Sequence, residues 1–301
     1  MELHIALCTD DNYANHCAIG VTSILENNKN DTCHIYILTV GLTEKNRNRF
    51  KYLADFYHRE IDVVTVDGAE IEGLQSTHRL PSSMYLRFLL PDIVNAHKCL
   101  YLDSDIICRE SLREVFETGL TNMAVGAVED QCGDDIRIHN SIDMYSRYFN
   151  SGVLLMNLDY WRKHQLKKKL ISYVEMSKKL TCPDQDALNV CLEGKVVFLD
   201  YRYNFQQGMY GNLDWLSGYK HPAIEVAKQN PLLVHYTSSE KPWHKDCKHP
   251  LKAEYNHYMG LNPILCETKT WAHPASYYIV EAVTDSFKRL YHKYRKKSGL
   301  L

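Results

Sequence analysis

Short apolar runs separated by polar intervals recur along the chain. HIALCT at 4–9, CHIYILTV at 33–40 and IDVVTV at 61–66 are rich in β-branched and aromatic residues and read as strands. Between them lie a mixed apolar segment at 17–25 and a charged one at 43–57, both of which read as helices. Strand, crossover and strand repeated in this way predict an α/β sheet whose ligand crevice lies beyond the carboxyl ends of the strands. Further along, 111–116 reads as a short helix and 166–176 as an amphipathic helix with a lysine-rich face, while 122–128, 152–158 and 196–199 read as strands. PDQDALN at 183–189 opens another helix, since a proline fits the first turn and early acidic residues suit its exposed amide donors.

KCLYLDSDIICR at 98–109 has the composition of a buried strand, yet Asp103 and Asp105 interrupt it. Carboxylates two positions apart share one side of a continuous strand, and they converge on one cation if the chain turns there. A strand-end turn with no ligand is the competing reading. Asp10, Asp11 and Asn12 follow the first strand, where a base or sugar in the crevice would lie; an Asx-rich turn accounts for them as well.

Composition narrows the classes. The chain has 301 residues and 35.0 kDa, with 45% hydrophobic and 24% charged residues, which is enough for one substantial core with or without an appendage. A formal charge of −2 and a pI of about 6.7 give no global positive field, so nucleic acid is not an expected partner. MELHIALCTDDNY reaches two aspartates too soon for a signal-peptide apolar region, and no apolar span is long enough to cross a bilayer. The ten cysteines lack a repeated metal-binding spacing and several sit in apolar runs, so reduced thiols in a cytoplasmic protein are expected.

The remaining polar groups gather around four segments. QSTHRLPSSMYLRFLLPD at 75–92 carries His78 and Arg87, and the guanidinium suits a phosphate as well as a structural ion pair. YFNSGVLLMNLDYWR at 148–162 places Asn150 and Ser151 at the entrance of a strand and Asn157 and Asp159 near its exit, where they cap local structure or align a sugar hydroxyl. Asp184, Gln185 and Asp186 are helical neighbours and cannot all share one task. In PLLVHYTSSEKPWH at 231–244, a short strand-like run leads to His235, which can offer a nitrogen to a metal, while Lys241 can meet phosphate charge and Trp243 can wall a pocket. Two aspartates and one imidazole form a hard-metal set that leaves positions for diphosphate oxygens.

TDDNY at 9–13, YLRFLLPD at 85–92, YLDSD at 101–105, FNSGVLLMNLDYWR at 149–162, PDQDALN at 183–189 and HYTSSEKPWH at 235–244 occur in an order that resembles the family 8 retaining glycosyltransferases. Within that family the pattern is similar to the bacterial lipopolysaccharide galactosyltransferases and glucosyltransferases, over residues 1 to about 250. The resemblance implies a GT-A fold, a central mixed α/β sheet flanked by helices, as a catalytic domain over 1–250. Residues 251–301 would form a helical, basic and aromatic appendage.

By the same resemblance Asp10, Asn12 and Tyr13 meet the uridine of a UDP-hexose donor, galactose or glucose. Arg87, Asp103, Asn150, Asp184 and Gln185 surround the sugar, and Asp103, Asp105 and His235 hold Mn2+ or Mg2+. Lys241 meets the diphosphate and His78 lies on the donor or acceptor side. Ser238 stands where family members commonly have glycine, which restricts that loop.

The implied reaction moves a hexose, with retention, to the hydroxyl of an oligosaccharide or lipid-linked glycan. Gln185 lacks the charge of a good nucleophile and Asp184 has it, so same-face substitution and double displacement both remain open, the former favoured. A binding module without turnover and a metal-dependent phosphohydrolase are the competing classes. DSFKRLYHKYRKK at 285–297, read as a helix, sets Phe287, Leu290, Tyr291 and Tyr294 beside many basic residues, a pattern suited to the surface of an anionic membrane or to packing on the main domain.

Overall fold

The structure is a computed structural model that describes residues 1–76, 82–132, 147–178, 180–211, 213 and 220–262. His78, the interval 133–146, parts of the aromatic loop near 212–219 and the basic tail all lie outside the described residues.

Seven strands form the main sheet in the order β3-β2-β1-β4-β7-β6-β8. They are β1 (Glu2–Cys8), β2 (Thr32–Thr39), β3 (Glu60–Thr65), β4 (Lys98–Leu102), β6 (Val125–Glu129), β7 (Phe149–Asn157) and β8 (Val196–Phe198). The first four in space run parallel, β7 runs antiparallel to both its neighbours, and β8 is parallel to β6. The strand pattern anticipates the α/β sheet, and the family resemblance its mixed strand directions.

Side-chain alternation divides the core into two layers, as a strand period of two requires. Leu3, Ile5 and Leu7 of β1 join Ile35 and Ile37 of β2, Leu100 and Leu102 of β4 and Val153 and Leu155 of β7 on one face. Ala6, Tyr36, Leu38, Cys99, Tyr101, Leu154 and Met156 point to the other. Helix Ala14–Asn27 packs on the first face and helices Leu166–Met176 and Pro183–Cys191 on the second. Fully burying each Leu, Ile or Phe contributes about 1.5–3 kcal/mol, so the double-sided core accounts for the unbroken apolar runs Ile5–Cys8 of β1 and Cys99–Leu102 of β4.

The stretch 98–109 is not one interrupted strand. The chain leaves the main sheet at Leu102, turns through Asp103, Ser104 and Asp105, and enters β5 (Ile106–Cys108) of a second sheet. That sheet has the order β5-β10-β9, with β9 (Phe205–Gln206) and β10 (Leu233–His235). Its register sets His235 opposite Ile106, next to Asp105. Helix Lys252–Leu261 closes on helix Ala14–Asn27: Tyr255 Oη meets His16 Nδ1 at 2.7 Å, and Asn27 Nδ2 donates to Tyr258 Oη at 2.8 Å.

Candidate active site

The turn between the two sheets makes the site. The Asp103 N–H donates to the Gly152 carbonyl at 2.8 Å, extending the β4–β7 ladder by one residue. The Tyr236 N–H donates to the Asp105 carbonyl at 3.1 Å and so anchors the other end on β10. His235 Nε2 then lies 3.2 Å from Asp105 Oδ1 and 3.6 Å from Asp103 Oδ2. One ligand atom from each of Asp103, Asp105 and His235 falls within 4.8 Å of the others, a spacing that fits a single divalent cation. His235 is only 4% exposed, and its buried imidazole faces two carboxylates.

Gly152 is what lets the imidazole in. A Cβ at this position would stand 2.2 Å from His235 Cε1 and 2.7 Å from Asp103 Oδ2. The ring and the first carboxylate therefore occupy the space that any other residue would fill. A glycine inside a strand of β-formers marks such a close approach, a signal that sequence reading did not use.

Asp103 is held from its far side. Tyr101 Oη donates to Asp103 Oδ1 at 2.6 Å and Arg87 donates to the same oxygen at 3.0 Å, which leaves Oδ2 turned towards His235. The Arg87 guanidinium lies 4.4 Å from the Tyr101 ring centroid. It also donates to the Ser151 carbonyl at 2.7 Å and stands 3.3 Å from Asp184 Oδ2. Arg87 thus ties the Asp103 carboxylate to the helix at Pro183–Cys191.

Asp184, Gln185 and Asp186 divide their tasks as helical geometry demands. Asp184 Oδ2 accepts from Ser151 Oγ at 3.0 Å as well as facing Arg87. Gln185 Oε1 accepts the Ser151 N–H at 2.9 Å, and its amide donates to Asp130 Oδ2 at 3.3 Å. Asp186 turns away: it accepts from Tyr148 Oη and from the backbone N–H groups of Thr181 and Cys182, and ties the segment before the helix to it. Asn150 donates to Asp130 at 3.2 Å. Burial pushes the Asp130 carboxyl up, against the hydrogen bonds from Asn150, the Cys132 N–H and Gln185 that favour its charged form.

Lys241 donates to Asp105 Oδ2 at 2.5 Å and to the Tyr236 carbonyl at 2.6 Å. Burial raises the Asp105 carboxyl, but the charges of Lys241 and His235 outweigh it and hold Asp105 well below the usual carboxylate range. Two residues on, Trp243 stacks on His16 with ring centroids 3.6 Å apart and takes the edge of Tyr13 at 5.7 Å. Burial lowers His16 to about 3, so the stacked imidazole is neutral.

The first loop shows two kinds of aspartate. Asp11 Oδ1 accepts from the Thr43 N–H, Thr43 Oγ1 and Asn46 Nδ2, and pins the loop to the start of helix Glu44–Tyr57. Asp10 Oδ1 accepts the Tyr13 N–H at 2.9 Å, which shapes the turn and leaves Asn12 and Tyr13 exposed. Two expectations for this loop, turn and recognition surface, are thus compatible.

A separate concavity of about 530 Å³ at the amino ends of β1 and β4 is lined by Glu2, His4, His97, Lys98, Asp159 and Arg162. Its basic groups are committed, Lys98 to the carbonyls of Phe116 and Thr118 and His97 to Asp159. The chemistry gathers at the opposite ends of the strands.

A mixed sheet with a carboxylate pair at the end of β4, a histidine facing it from a second sheet and the stacked rings of His16 and Trp243 nearby are the features of a glycosyltransferase of the GT-A class. Residues 4–247 match glycosyl transferase family 8, and the chain belongs to that family. It is 28% identical to General stress protein A of Bacillus subtilis, over 86% of this chain and 93% of that protein. It is 32% identical to lipopolysaccharide glucosyltransferase WaaO of Escherichia coli, over 80% of this chain and 73% of the relative. Among solved structures, the galactosyltransferase LgtC in complex with donor and acceptor sugar analogues superposes with a TM-score of 0.77 and 27% identity, covering 89% of this chain and 98% of that one.

Of the residues expected at the site, Arg87, Asp103, Asp105, Asn150, Asp184, Gln185, His235 and Lys241 form one connected cluster, and Asp10, Asn12 and Tyr13 share one turn whose Tyr13 ring meets Trp243. Tyr101, Asp130, Gly152, Asn204 and His16 belong to the same region and were not anticipated.

Proposed function

We propose that the protein is a metal-dependent, retaining hexosyltransferase that moves galactose or glucose from a UDP-sugar to a glycan hydroxyl of lipopolysaccharide or a related cell-surface glycan. The observation that carries this reading is the Asp103–Asp105–His235 cluster set against Lys241 at the end of β4. The lipopolysaccharide assignment rests on the likeness to WaaO and to a Salmonella typhimurium lipopolysaccharide 1,3-galactosyltransferase, 27% identical over 282 residues.

Asp103, Asp105 and His235 would hold Mn2+, or Mg2+, whose charge offsets that developing on the departing diphosphate. Lys241 adds a second positive charge once it turns from Asp105 towards the phosphates. Asp10, Asn12 and Tyr13 receive the uridine, and the exposed Tyr13 ring beside Trp243 offers a stacking face. Arg87, Asn150, Asp184 and Gln185 orient the hexose.

Asp184 is a poor nucleophile in this setting, because its Oδ2 already faces Arg87 and accepts from Ser151. Gln185 Oε1 is likewise held by the Ser151 N–H. Both are better placed to stabilise the cation-like sugar than to bond to it. These contacts favour attack by the acceptor hydroxyl on the face the diphosphate leaves, with the leaving phosphate accepting the proton.

No helix among the described residues is long and apolar enough to cross a membrane. The basic, aromatic segment at 285–297 would bring the enzyme to an anionic inner-leaflet surface where a lipid-linked acceptor resides.

Retention can be read without knowing the acceptor. Slow transfer to water from α-linked UDP-galactose or UDP-glucose, followed by proton NMR, should release the α-hexose first, with later mutarotation. Early appearance of the β-anomer would contradict retention, and orthophosphate in place of UDP would mark a phosphohydrolase.

A further inference from the structure

Asn204 ends a short helical turn at Tyr201–Asn204, just before β9, and is fully buried. Nothing in its sequence setting, YRYNF, suggests a role in chemistry. Yet its side chain touches two groups of different kinds: Nδ2 donates to Asn150 Oδ1 at 2.8 Å, and Oδ1 faces His235 Nδ1 at 2.9 Å.

The direction of these bonds is fixed by the backbone. The Gly152 N–H donates to Asn150 Oδ1 at 3.0 Å, so that atom is the acceptor end of its amide. The opposite end of Asn150, Nδ2, accordingly reaches the Asp130 carboxylate. An acceptor at Asn150 Oδ1 requires a donor from Asn204, which must present its NH2 there and its oxygen to His235. His235 must then carry its proton on Nδ1, and Nε2, the nitrogen that faces Asp103 and Asp105, keeps a free lone pair.

We propose that Asn204 is a positioning residue with two separable duties: its oxygen sets the His235 tautomer for metal binding, and its NH2 holds Asn150 in register with Asp130 and the hexose. The inference rests on the metal site proposed above. It adds a residue that touches neither metal nor sugar and links the two through one buried amide. Partners of metal-bound histidines typically alter affinity or activity by about 10–100-fold when removed.

Two substitutions separate the duties. Asn204→Leu removes both bonds at similar volume; Asn204→Asp keeps an oxygen for His235 Nδ1–H and loses the donor for Asn150. Mn2+ binding, followed by electron paramagnetic resonance without any donor sugar, should weaken by about 10-fold or more in Asn204→Leu and stay within about threefold of wild type in Asn204→Asp. UDP-hexose turnover should fall by about 10-fold or more in both.

Long-range 1H–15N correlation on the metal-free wild type should place the His235 proton on Nδ1. A proton on Nε2 overturns the proposal without recourse to any variant, as does Asn204→Leu binding Mn2+ like wild type. Wild-type Mn2+ binding that Asp105→Asn leaves unchanged would instead refute the metal site itself, which keeps the two failures apart.

Discussion

Replacing Gly152 with alanine adds one methyl group at the point where β7 passes beneath the proposed metal ligands. An ideal Cβ there lies 2.2 Å from His235 Cε1, 2.7 Å from Asp103 Oδ2 and 2.8 Å from His235 Nδ1. Ordinary carbon contacts begin near 3.4 Å, so the imidazole has to retreat by about 1.2 Å. It has little room to do so. His235 is buried on the central strand of the second sheet, with Nδ1 bound to Asn204 and Asp105 on the other side.

A shift of about 1 Å is several times the roughly 0.2 Å tolerance of metal–ligand distances. The expected result is a loss of Mn2+ affinity of about 10-fold or more and of turnover of about 100-fold. Overpacking should also lower stability by about 1–3 kcal/mol. Electron paramagnetic resonance of Mn2+ reads the first, UDP release the second and urea unfolding the third.

Gly126→Ala is the control, because its Cβ would meet only the side chains of Leu199 and Leu155, at 3.3 Å and beyond. It should alter stability alone. Wild-type metal affinity and turnover in Gly152→Ala would refute the reasoning, since the methyl group cannot be accommodated while His235 stays where it is.

Two other outcomes follow from groups away from the carboxylates. Burial lowers His249 to about 4, and its Nδ1 accepts the Leu251 N–H between the rings of Tyr210 and Tyr236. Between pH 6.5 and 4 the unfolded chain binds a proton there that the folded one refuses, so stability falls with pH by up to about 1.4 kcal/mol per unit. His249→Phe should flatten that slope in urea titrations, and an unchanged slope would contradict the assignment. Deleting residues 285–301 should reduce sedimentation with anionic liposomes and leave UDP-hexose hydrolysis intact; unchanged sedimentation would remove the membrane role.

The elements with strong patterns were legible. β1, β2 and β7 are long apolar runs buried on both faces, β3 is a run of β-branched residues, and helix Leu166–Met176 has the bounds its pattern predicts. Of the second sheet only the short run leading to His235 was legible, because strands of two and three residues carry no periodicity and the sheet forms only through pairing between Ile106, Phe205 and His235 segments far apart in sequence. This is why 98–109 looked like one strand. The turn at these aspartates is present, and it is what brings the two carboxylates together beside His235.

The site residues that were visible carry charge or a motif. Those that were missed work by position. Asn204 is one polar residue in an aromatic loop, and only the fold shows what its two ends touch. Tyr101 lies within a hydrophobic run, where an aromatic ring needs no further explanation, yet its hydroxyl orients Asp103. Gly152 was readable in principle, since a strand of β-formers has little other use for a glycine.

The central claim is that the carboxylates at the end of β4 and the histidine of β10 activate a UDP-hexose. Its most direct test is UDP release from a panel of UDP-sugars with added Mn2+, comparing wild type with Asp103→Ala/Asp105→Ala and reading donor binding on the same samples. The account predicts turnover of UDP-galactose or UDP-glucose that requires Mn2+ and vanishes in the double variant. Equal turnover in the variant, or a wild type that neither binds nor consumes any UDP-sugar, would contradict it.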